Sequence, residues 1–445
     1  MKTRAPASAL GGCFRKLLLI GGLALLGLYA LGVAAGYIWL HHVRHNVRIT
    51  VADVALLRVA AVRRGIAAEQ FVQARKEWDA NNYQAAFLNY TSAVRNDPDD
   101  IAGRLDAVKF LTAAGATNQA IGLLDDGLAR TRSDRRLLTQ TFDLLTASGR
   151  DAHALELLSG VLSGELDGPN GPMLQSYQLL ATLNSAGAPA ARKLLDQRPE
   201  LPNHRPAVPV VARVLWESAE RLRAIGLLAK YVNAEPGAYA PYAQLAGWQK
   251  EGGLTADAMH TAERACAQFP TEPAPRILLI EAQAASIATQ SATLSITAYL
   301  RDFSSRPEAL LLLAEAAGRN GWLDLARSLY AVGANRQPEL TLFALCYGDA
   351  LARNSRFAEF QQLLAQVEAQ APEKNTALLI QLRQRQVIAA AALNDPDNVR
   401  EFARRLAAAL RSNPEALETA RRNFSKMGIT GAVTELTGRP ATKRP

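Results

Sequence analysis

Two pairs of adjacent carboxylates, Asp99–Asp100 and Asp125–Asp126, have a spacing that could support acid–base chemistry. Each pair falls at the expected end or on the expected exposed face of a helix, where carboxylates are usually solvated. His41 and His45 are four positions apart, as two metal ligands on one helix face would be, but no third ligand is apparent. The chain contains no HExxH, no GxSxG and no glycine-rich phosphate loop. The sequence therefore predicts a protein that is not an enzyme and that holds no metal or cofactor.

The three cysteines, Cys13, Cys266 and Cys346, are far apart, so they indicate neither a disulfide framework nor a paired metal motif. The stretch LGGC at 10–13 looks like a lipidation signal, but here the apolar stretch follows the cysteine instead of preceding it. We therefore predict neither disulfides nor lipidation.

The net charge of +9 is concentrated outside the body of the chain. Residues 1–66 carry nine basic side chains against Asp53 alone, and the C-terminal tail adds three more basic residues, which leaves residues 67–438 at −2. A nucleic-acid-binding protein needs a basic face on its folded body to neutralise phosphates. Nucleic acid is therefore not a predicted partner.

Residues 17–40 run for 24 positions without a charge. As a helix rising ~1.5 Å per residue, this stretch spans the ~30 Å hydrocarbon layer of a membrane. Arg15 and Lys16 precede it, and Trp39 lies at its other end, where interfacial aromatic residues are common. We predict a transmembrane helix over 17–40. The alternative is a cleavable signal peptide, whose apolar region is usually only about 7–15 residues long.

On this interpretation, residues 1–16 are a cytoplasmic segment, residues 41–66 are a basic juxtamembrane segment, and the rest of the chain lies across the membrane. Forty arginines against ten lysines, with abundant alanine, suggest a bacterium with a GC-rich genome, and hence the inner membrane and the periplasm. Gly32 and Gly36 fit the GxxxG pattern, through which two such helices could pair into a homodimer.

Small and apolar residues recur along the chain every 34 residues. The positions with this spacing are Ala86, Ala120 and Ala154; Tyr90, Leu124 and Leu158; Ala93, Gly127 and Val161; Ala224, Ala258, Ala292 and Ala326; and Leu228, Ala262, Ile296 and Tyr330. Helix-forming residues dominate and strand-like alternation is scarce, so the predicted fold class is all-α. A period of this length indicates two helices per repeat.

A 34-residue period with small residues where two helices cross and a proline at the repeat boundary resembles the tetratricopeptide repeat family. In the first repeat, over 67–100, the family's small positions correspond to Ala74, Ala86 and Ala93, its aromatic position to Tyr90 and its closing proline to Pro98. The resemblance covers about residues 67–416. It implies an α-solenoid, a right-handed superhelix of about ten helix pairs whose concave face binds protein segments.

The repeats divide into two arrays, over 67–204 and 205–416, because the period slips near 165–206, where glycines and prolines cluster. An asparagine followed by a proline opens a final helix over 413–428, which we expect to cap the second array. Residues 429–445 are then a basic tail.

Position nine of each repeat faces the groove in this family, and in this chain it changes from basic to acidic. Along the chain it reads Arg75, Lys109, Asp143, Arg213, Gly247, Glu281, Glu315 and Asp349. Trp78 and Trp216 occupy the groove-facing position twelve beside Arg75 and Arg213, and an aromatic ring next to a cation is a common anchor at binding surfaces. We predict Arg75, Trp78 and Lys109 as the main partner-binding set, with Arg213 and Trp216 as a second one.

The alternative is a solvated face whose charges neutralise one another. Arg319 and Arg353 lie four residues after Glu315 and Asp349, so each pair could form on one helix face and contribute only ~0.2–0.5 kcal/mol. Such pairing would neutralise much of the acidic end.

Two functions fit these features. The first is a non-catalytic scaffold, tethered to a membrane, that gathers protein partners for bacterial envelope assembly, export or secretion. The alternative is a structural subunit whose array packs into a larger machine through its ends. A cap over 413–428 should block end-to-end stacking, which favours the scaffold.

Overall fold

The structure is a computed structural model that describes residues 9–43, 49–286, 289–333, 340–370, 376–411 and 413–437. Regular structure in these ranges is helical, with 24 α-helices and no strand. The predicted all-α fold is therefore confirmed. Of the predicted end segments, the first eight residues and those from 438 onward lie outside the described ranges.

The N-terminal helix, α1 (Ala9–Ile38), continues into a π-helical turn, Trp39–Val43. Within them, Ile20–His42 form a 23-residue stretch with a mean hydropathy of 1.9 and no buried residues, long and apolar enough to be a membrane span or a signal sequence. The short helix α2 (Val51–Ala55) follows.

Eleven helix pairs, each a first and a second helix, follow in chain order. They are α3 (Val59–Asp79) and α4 (Tyr83–Asn96), α5 (Ile101–Ala113) and α6 (Thr117–Arg130), α7 (Arg135–Ala147) and α8 (Asp151–Ser159), α9 (Gly171–Ala186) and α10 (Ala188–Asp196), α11 (Val208–Glu217) and α12 (Arg221–Ala234), α13 (Tyr239–Glu251) and α14 (Thr255–Gln268), α15 (Pro273–Ala285) and α16 (Thr289–Phe303), α17 (Pro307–Asn320) and α18 (Leu323–Gly333), α19 (Leu340–Arg353) and α20 (Phe357–Gln370), α21 (Thr376–Ala392) and α22 (Pro396–Ala409), and α23 (Pro414–Lys426) and α24 (Thr430–Leu436). The first helix starts at Val59, inside the segment 41–66 that was expected to precede the repeats.

The turn inside each pair has its own 34-residue period. A residue with positive φ follows the first helix of many pairs: Asn81, Gly115, Gly149, Ala219, Gly253, Gly321 and Ser355. Glycine adopts this left-handed conformation at little cost, and asparagine does so more readily than most other residues. The turn reverses the chain, so that the second helix packs back against the first.

Most of the residues with 34-residue spacing are buried in the core of the helix stack, although Val161, just beyond the short α8, is 40% exposed. Ala86 and Ala120 are completely buried, Ala154 is 2% exposed, and Tyr90 and Leu124 lie beside them at 2% and 0% exposure. The small residues let helix backbones approach, and each neighbouring pair covers an apolar face that one pair cannot cover alone. The period therefore marks the buried contacts of an α-solenoid.

The chain divides into two compact units, an N-terminal unit, Met1–Tyr177, and a C-terminal unit, Gln178–Pro445. The boundary falls within the stretch 165–206 where the sequence period slips. That stretch contains three 3₁₀ turns, and its second helix, α10, is only nine residues long.

The last pair extends beyond the predicted cap. The Asn413 side chain accepts a hydrogen bond from the Ala416 amide at 3.1 Å, which starts α23 close to the predicted position. Gly428 then adopts φ +74°, and the chain turns into α24, whose Ala432 and Leu436 are buried. Residues 430–436 are therefore a helix and not part of a simple tail.

Candidate protein-binding site

The first helices of the N-terminal unit place Arg75 and Trp78 in direct contact. The two residues are three positions apart on α3, so they lie on the same helix face. The Arg75 guanidinium carbon lies 4.9 Å from the centre of the Trp78 ring. The indole in turn makes an edge contact with Phe110 of α5, with ring centres 5.5 Å apart. The predicted aromatic–cation pair is thus present and is held against the buried Phe110.

Asp106 of α5 fixes the position of Arg75. Its carboxylate lies 3.2 Å from an Arg75 nitrogen and accepts a hydrogen bond from the Tyr90 hydroxyl at 3.1 Å. Burial, followed by the charge of Asp106, raises the pKa of Tyr90, so this hydroxyl stays protonated and donates its hydrogen. Asp79, one turn further along α3, lies 3.6 Å from the same guanidinium group. Arg75 therefore faces two carboxylates but is still 52% exposed.

Lys109, the third member of the predicted set, lies exposed on α5, one turn beyond Asp106. Within the described parts of the chain it forms no ion pair and no hydrogen bond through its side chain. Its ammonium group is therefore available to a partner. The predicted set thus combines one fixed indole, one partly paired guanidinium group and one unpaired ammonium group.

The second predicted set, in the C-terminal unit, is arranged differently. Trp216 stacks on Trp248 of the next first helix, with ring centres 4.9 Å apart and planes at 5°. The cation over Trp216 is Arg221, at 5.0 Å, and not the expected Arg213. Arg213 instead donates a hydrogen bond to Glu217 at 3.0 Å, because that carboxylate lies one turn further along α11.

Trp248 and Arg221 were missed by the sequence reasoning, although one signal was available. Trp216 and Trp248 are 32 residues apart, close to the repeat period, which puts them at nearly equivalent positions of neighbouring first helices. Arg221 is the first residue of α12, directly after the turn at Ala219. The turn brings Arg221 close to Trp216, and the repeat period of the sequence does not predict this contact.

Two of the three acidic groups of the later repeats, those of Glu281 and Asp349, are paired, but not with the expected partners, whereas Glu315 is exposed. Glu281 accepts hydrogen bonds from Arg319 at 3.0 Å and from Asn320 at 2.8 Å. Asp349 binds Arg385 through two hydrogen bonds of 2.8 and 2.7 Å. These bonds link one first helix to the next, whereas the sequence suggested pairs one turn apart on the same helix. The carboxylates of Glu281 and Asp349 therefore connect neighbouring helix pairs.

In the described residues, no cluster of three or more His, Cys, Asp or Glu side chains could hold a metal ion. The two cysteines with described side chains are free, and burial raises the pKa of both thiols, to about 12 for Cys346. Thiols with such pKa values are poor nucleophiles at neutral pH.

Comparison with known proteins adds a family match for part of the chain. Residues 77–139, from the end of α3 into α7, match the family model described as tetratricopeptide repeat. No curated protein matches the chain. The match covers most of the first repeat, over 67–100, all of the second and the start of the third.

Several solved structures are similar in fold. Yeast Tom70 shares 12% identity, covering 83% of this chain and 96% of its own, with a TM-score of 0.39. A tetratricopeptide repeat protein from Parabacteroides merdae shares 10% identity, with coverage of 60% and 98% and a TM-score of 0.34. The C-terminal part of a TPR repeat-containing protein from Cytophaga hutchinsonii shares 14%, with coverage of 63% and 98% and a TM-score of 0.32. Likenesses this distant carry no functional argument.

The helix pairs, their 34-residue period and the matched segment together define the class of protein. It is an α-solenoid of tetratricopeptide-like helix pairs.

Proposed function

We propose that this protein is a non-catalytic, membrane-anchored scaffold that binds protein partners on the face formed by its first helices, in bacterial envelope assembly, export or secretion. The observation that carries the proposal is the Arg75–Trp78 contact, with Lys109 exposed and unpaired on the neighbouring first helix. An aromatic ring already fixed by its neighbours loses little side-chain freedom on binding, which favours its use as an anchor.

The unpaired ammonium group of Lys109 favours a partner segment that is acidic. Arg75 already faces two carboxylates, those of Asp79 and Asp106, so the positive charge of this set that is open to a partner is that of Lys109. A partner carboxylate next to an apolar side chain could meet Lys109 while the apolar group contacts Trp78. Exposed pairs of this kind contribute modestly, about 0.2–1 kcal/mol each, so we expect charge to control specificity and association rate more than affinity.

The test is a crosslinking pulldown of the full-length protein from its native membrane. The double variant Arg75→Glu and Lys109→Glu should lose partners that the wild type retains. The matched control, Arg95→Glu with Arg132→Glu, makes the same charge change at exposed cations outside the first helices and should keep the wild-type partners.

Because Arg75→Glu also breaks the bond to Asp106, circular dichroism must show an unchanged melting curve. Lys109→Glu alone provides a second test that removes no internal bond. If the double variant keeps its fold and an unchanged partner list, the contact set is wrong.

The membrane anchor is a separate part of the proposal. The apolar stretch Ile20–His42 is exposed along its length, and Trp39 near its end is 48% exposed, which is typical of a span with an interfacial aromatic residue. We place the N terminus in the cytoplasm and the helix pairs in the periplasm. Gly32 is open on its surface, whereas Gly36 approaches Val54 of α2, so Gly32 is the better contact for a homodimer.

Protease added to spheroplasts tests the orientation. If the protein keeps an N-terminal tag before protease is added, its anchor is uncleaved. Digestion of the helix pairs by the added protease would then support their location in the periplasm. Full protection would reverse the orientation, and loss of the tag from the mature protein would show a cleaved signal peptide.

A further inference from the structure

The irregular stretch between the two predicted arrays forms a cleft that the proposed function does not use. The cleft encloses about 470 Å³ between α10 and α12 of the C-terminal unit, with α11 behind it. Its origin lies in the sequence. The second helix α10 has nine residues, whereas the second helices α12 and α14 have fourteen. The chain after α10 contains Pro199 and Pro202, which do not continue the helix, so the space that a longer α10 would fill is left open.

The interior of this cleft is apolar. Leu195 of α10, Val211 and Leu215 of α11 and Leu227 of α12 line it, next to the two proline rings. On the α12 side the wall includes Gly226, where an added Cβ would meet no atom within 4 Å. The space beside Gly226 is therefore open, and a side chain of a partner could occupy it.

The rim of the cleft is positively charged. Arg192 lies 2.6 Å from Glu220 and 3.1 Å from Asp196, and Arg223 shares Glu220 at 3.0 Å. Lys230 is exposed and has no ion pair within the described ranges. The three cations thus exceed the two carboxylates by one, and Lys230 is the cation that remains available.

We propose that this cleft is a second protein-binding site, which takes a large apolar side chain flanked by acidic residues from a segment of a partner protein. The volume lies within the ~300–1,000 Å³ typical of binding pockets. The apolar wall would bury the anchor side chain, and Lys230 would meet the neighbouring carboxylate. Lined mainly by second helices, the site is independent of the first-helix face, so a scaffold could hold two segments at once.

The chain's own C-terminal tail is a poor occupant on grounds of charge. Residues 438–445 carry Arg439, Lys443 and Arg444 and no acidic side chain, so the basic rim would repel them. A separate acidic segment fits the rim better.

The experiment is a selection of phage-displayed random peptides on the full-length protein, followed by fluorescence anisotropy of the enriched peptides. Gly226→Phe should fill the cleft and weaken those peptides by at least about tenfold. Its control is Gly122→Phe, because Gly122 occupies the same position in α6, also with open space around it. Lys230→Glu should weaken binding similarly, whereas Lys193→Glu, on an exposed face of α10 outside the cleft, should not.

The expected peptides combine an aromatic or large aliphatic residue with adjacent Asp or Glu. Two results would overturn the proposal: no enriched peptide that distinguishes Gly226→Phe from Gly122→Phe, or enriched peptides that are basic. Arg75→Glu with Lys109→Glu should leave this binding unchanged, so the outcome is separable from that of the first-helix test.

Discussion

At the residue scale, the close packing of neighbouring helix pairs depends on which side chains and backbone atoms meet at each position. Arg104 is 2% exposed and donates hydrogen bonds to the carbonyls of Pro98 and Leu123 at 2.7 and 2.6 Å. A Cβ at Gly127 would lie 2.8 Å from this arginine. The spacing predicted a small residue at that position, but a buried arginine was not predictable, since arginine is almost never fully buried unless paired.

Gly318 illustrates the same dependence and provides a test. A Cβ at this position would lie 2.7 Å from the backbone carbonyl oxygen of Cys346, on the next first helix. Because backbone atoms cannot rotate away, Gly318→Ala should push α17 and α19 apart and destabilise the C-terminal unit by about 1–3 kcal/mol. Urea denaturation followed by circular dichroism measures the change.

Gly122→Ala is the control for this substitution. Gly122 lies within α6 with no atom within 4 Å of an added Cβ, so alanine there should be neutral or stabilising by up to about 1 kcal/mol. Equal effects at the two glycines would contradict the steric explanation.

Cys346 should be chemically inert in the folded protein. Burial raises the pKa of its thiol to about 12, from ~8.5 in an unfolded chain. The folded state therefore favours the protonated thiol, so this contribution to stability is present below about pH 8.5 and is lost as the pH rises towards 12.

Iodoacetamide at pH 8, followed by mass spectrometry, tests this in a Cys13→Ser background. Cys346 should be alkylated only after addition of urea, because the thiolate is the reactive form. In addition, the free energy of unfolding should fall less between pH 8.5 and 11 for Cys346→Ala than for the wild type, because the variant has no thiol to ionise at this position. Rapid alkylation of Cys346 in the native protein would show that the thiol is accessible.

At the element scale, local rules predicted where α23 starts but not that α24 follows it. A capping asparagine, a proline in the first turn and Gly428 near the end are strong local signals. By contrast, α24 has seven residues, too few to show a helical period, and it is stabilised by packing against α22 and α23. The irregular stretch near α10 shows the same limit, since its prolines marked a break without revealing the cleft.

The last helix pair should be needed to keep the protein from associating through its C-terminal end. Phe424 is 3% exposed and packs in a cluster with residues of α22, including Val399 and Leu406. Phe424→Ala should cost about 3–5 kcal/mol and loosen α23 and α24 from that cluster. Sedimentation velocity should then show concentration-dependent association, because the apolar end of α22 becomes exposed.

Met427→Ala serves as the control for that experiment, because Met427 is 57% exposed. It should leave both stability and sedimentation unchanged. A Phe424→Ala protein that is destabilised but still does not associate would argue against capping as the role of this pair.

At the scale of the whole molecule, the 34-residue period predicted the solenoid and most of its core, because repeated burial imposes a repeated pattern on the sequence. The bonds between helix pairs were not predictable in the same way. Arg319 donates a hydrogen bond to Glu281, 38 positions away, and Arg385 donates one to Asp349, 36 positions away. Which side chains meet at such separations depends on how neighbouring helices cross, and the sequence period does not specify that angle.

One contact joins the beginning and the end of the C-terminal unit. The Arg422 guanidinium of α23 donates hydrogen bonds to the backbone carbonyls of Asn184 and Ser185, at 3.0 and 3.3 Å, across a separation of 238 and 237 residues. These carbonyls belong to the last turn of α9, and the C-terminal turn of a helix attracts cations. Arg422 therefore supplies a C-terminal cap for α9 from the far end of the unit.

Removal of Arg422 should let the two ends of the unit separate more often. An exposed charged contact contributes about 1 kcal/mol or less, so the ratio of closed to open molecules should fall by up to about fivefold. Spin labels at Lys193→Cys on α10 and Lys426→Cys on α23, in a cysteine-free background, would report the distance by electron–electron resonance. Arg422→Ala should broaden the distribution towards longer distances. Arg421→Ala should not, because Arg421 pairs with Glu418 on its own helix. Identical distributions in both variants would show that other contacts hold the two ends.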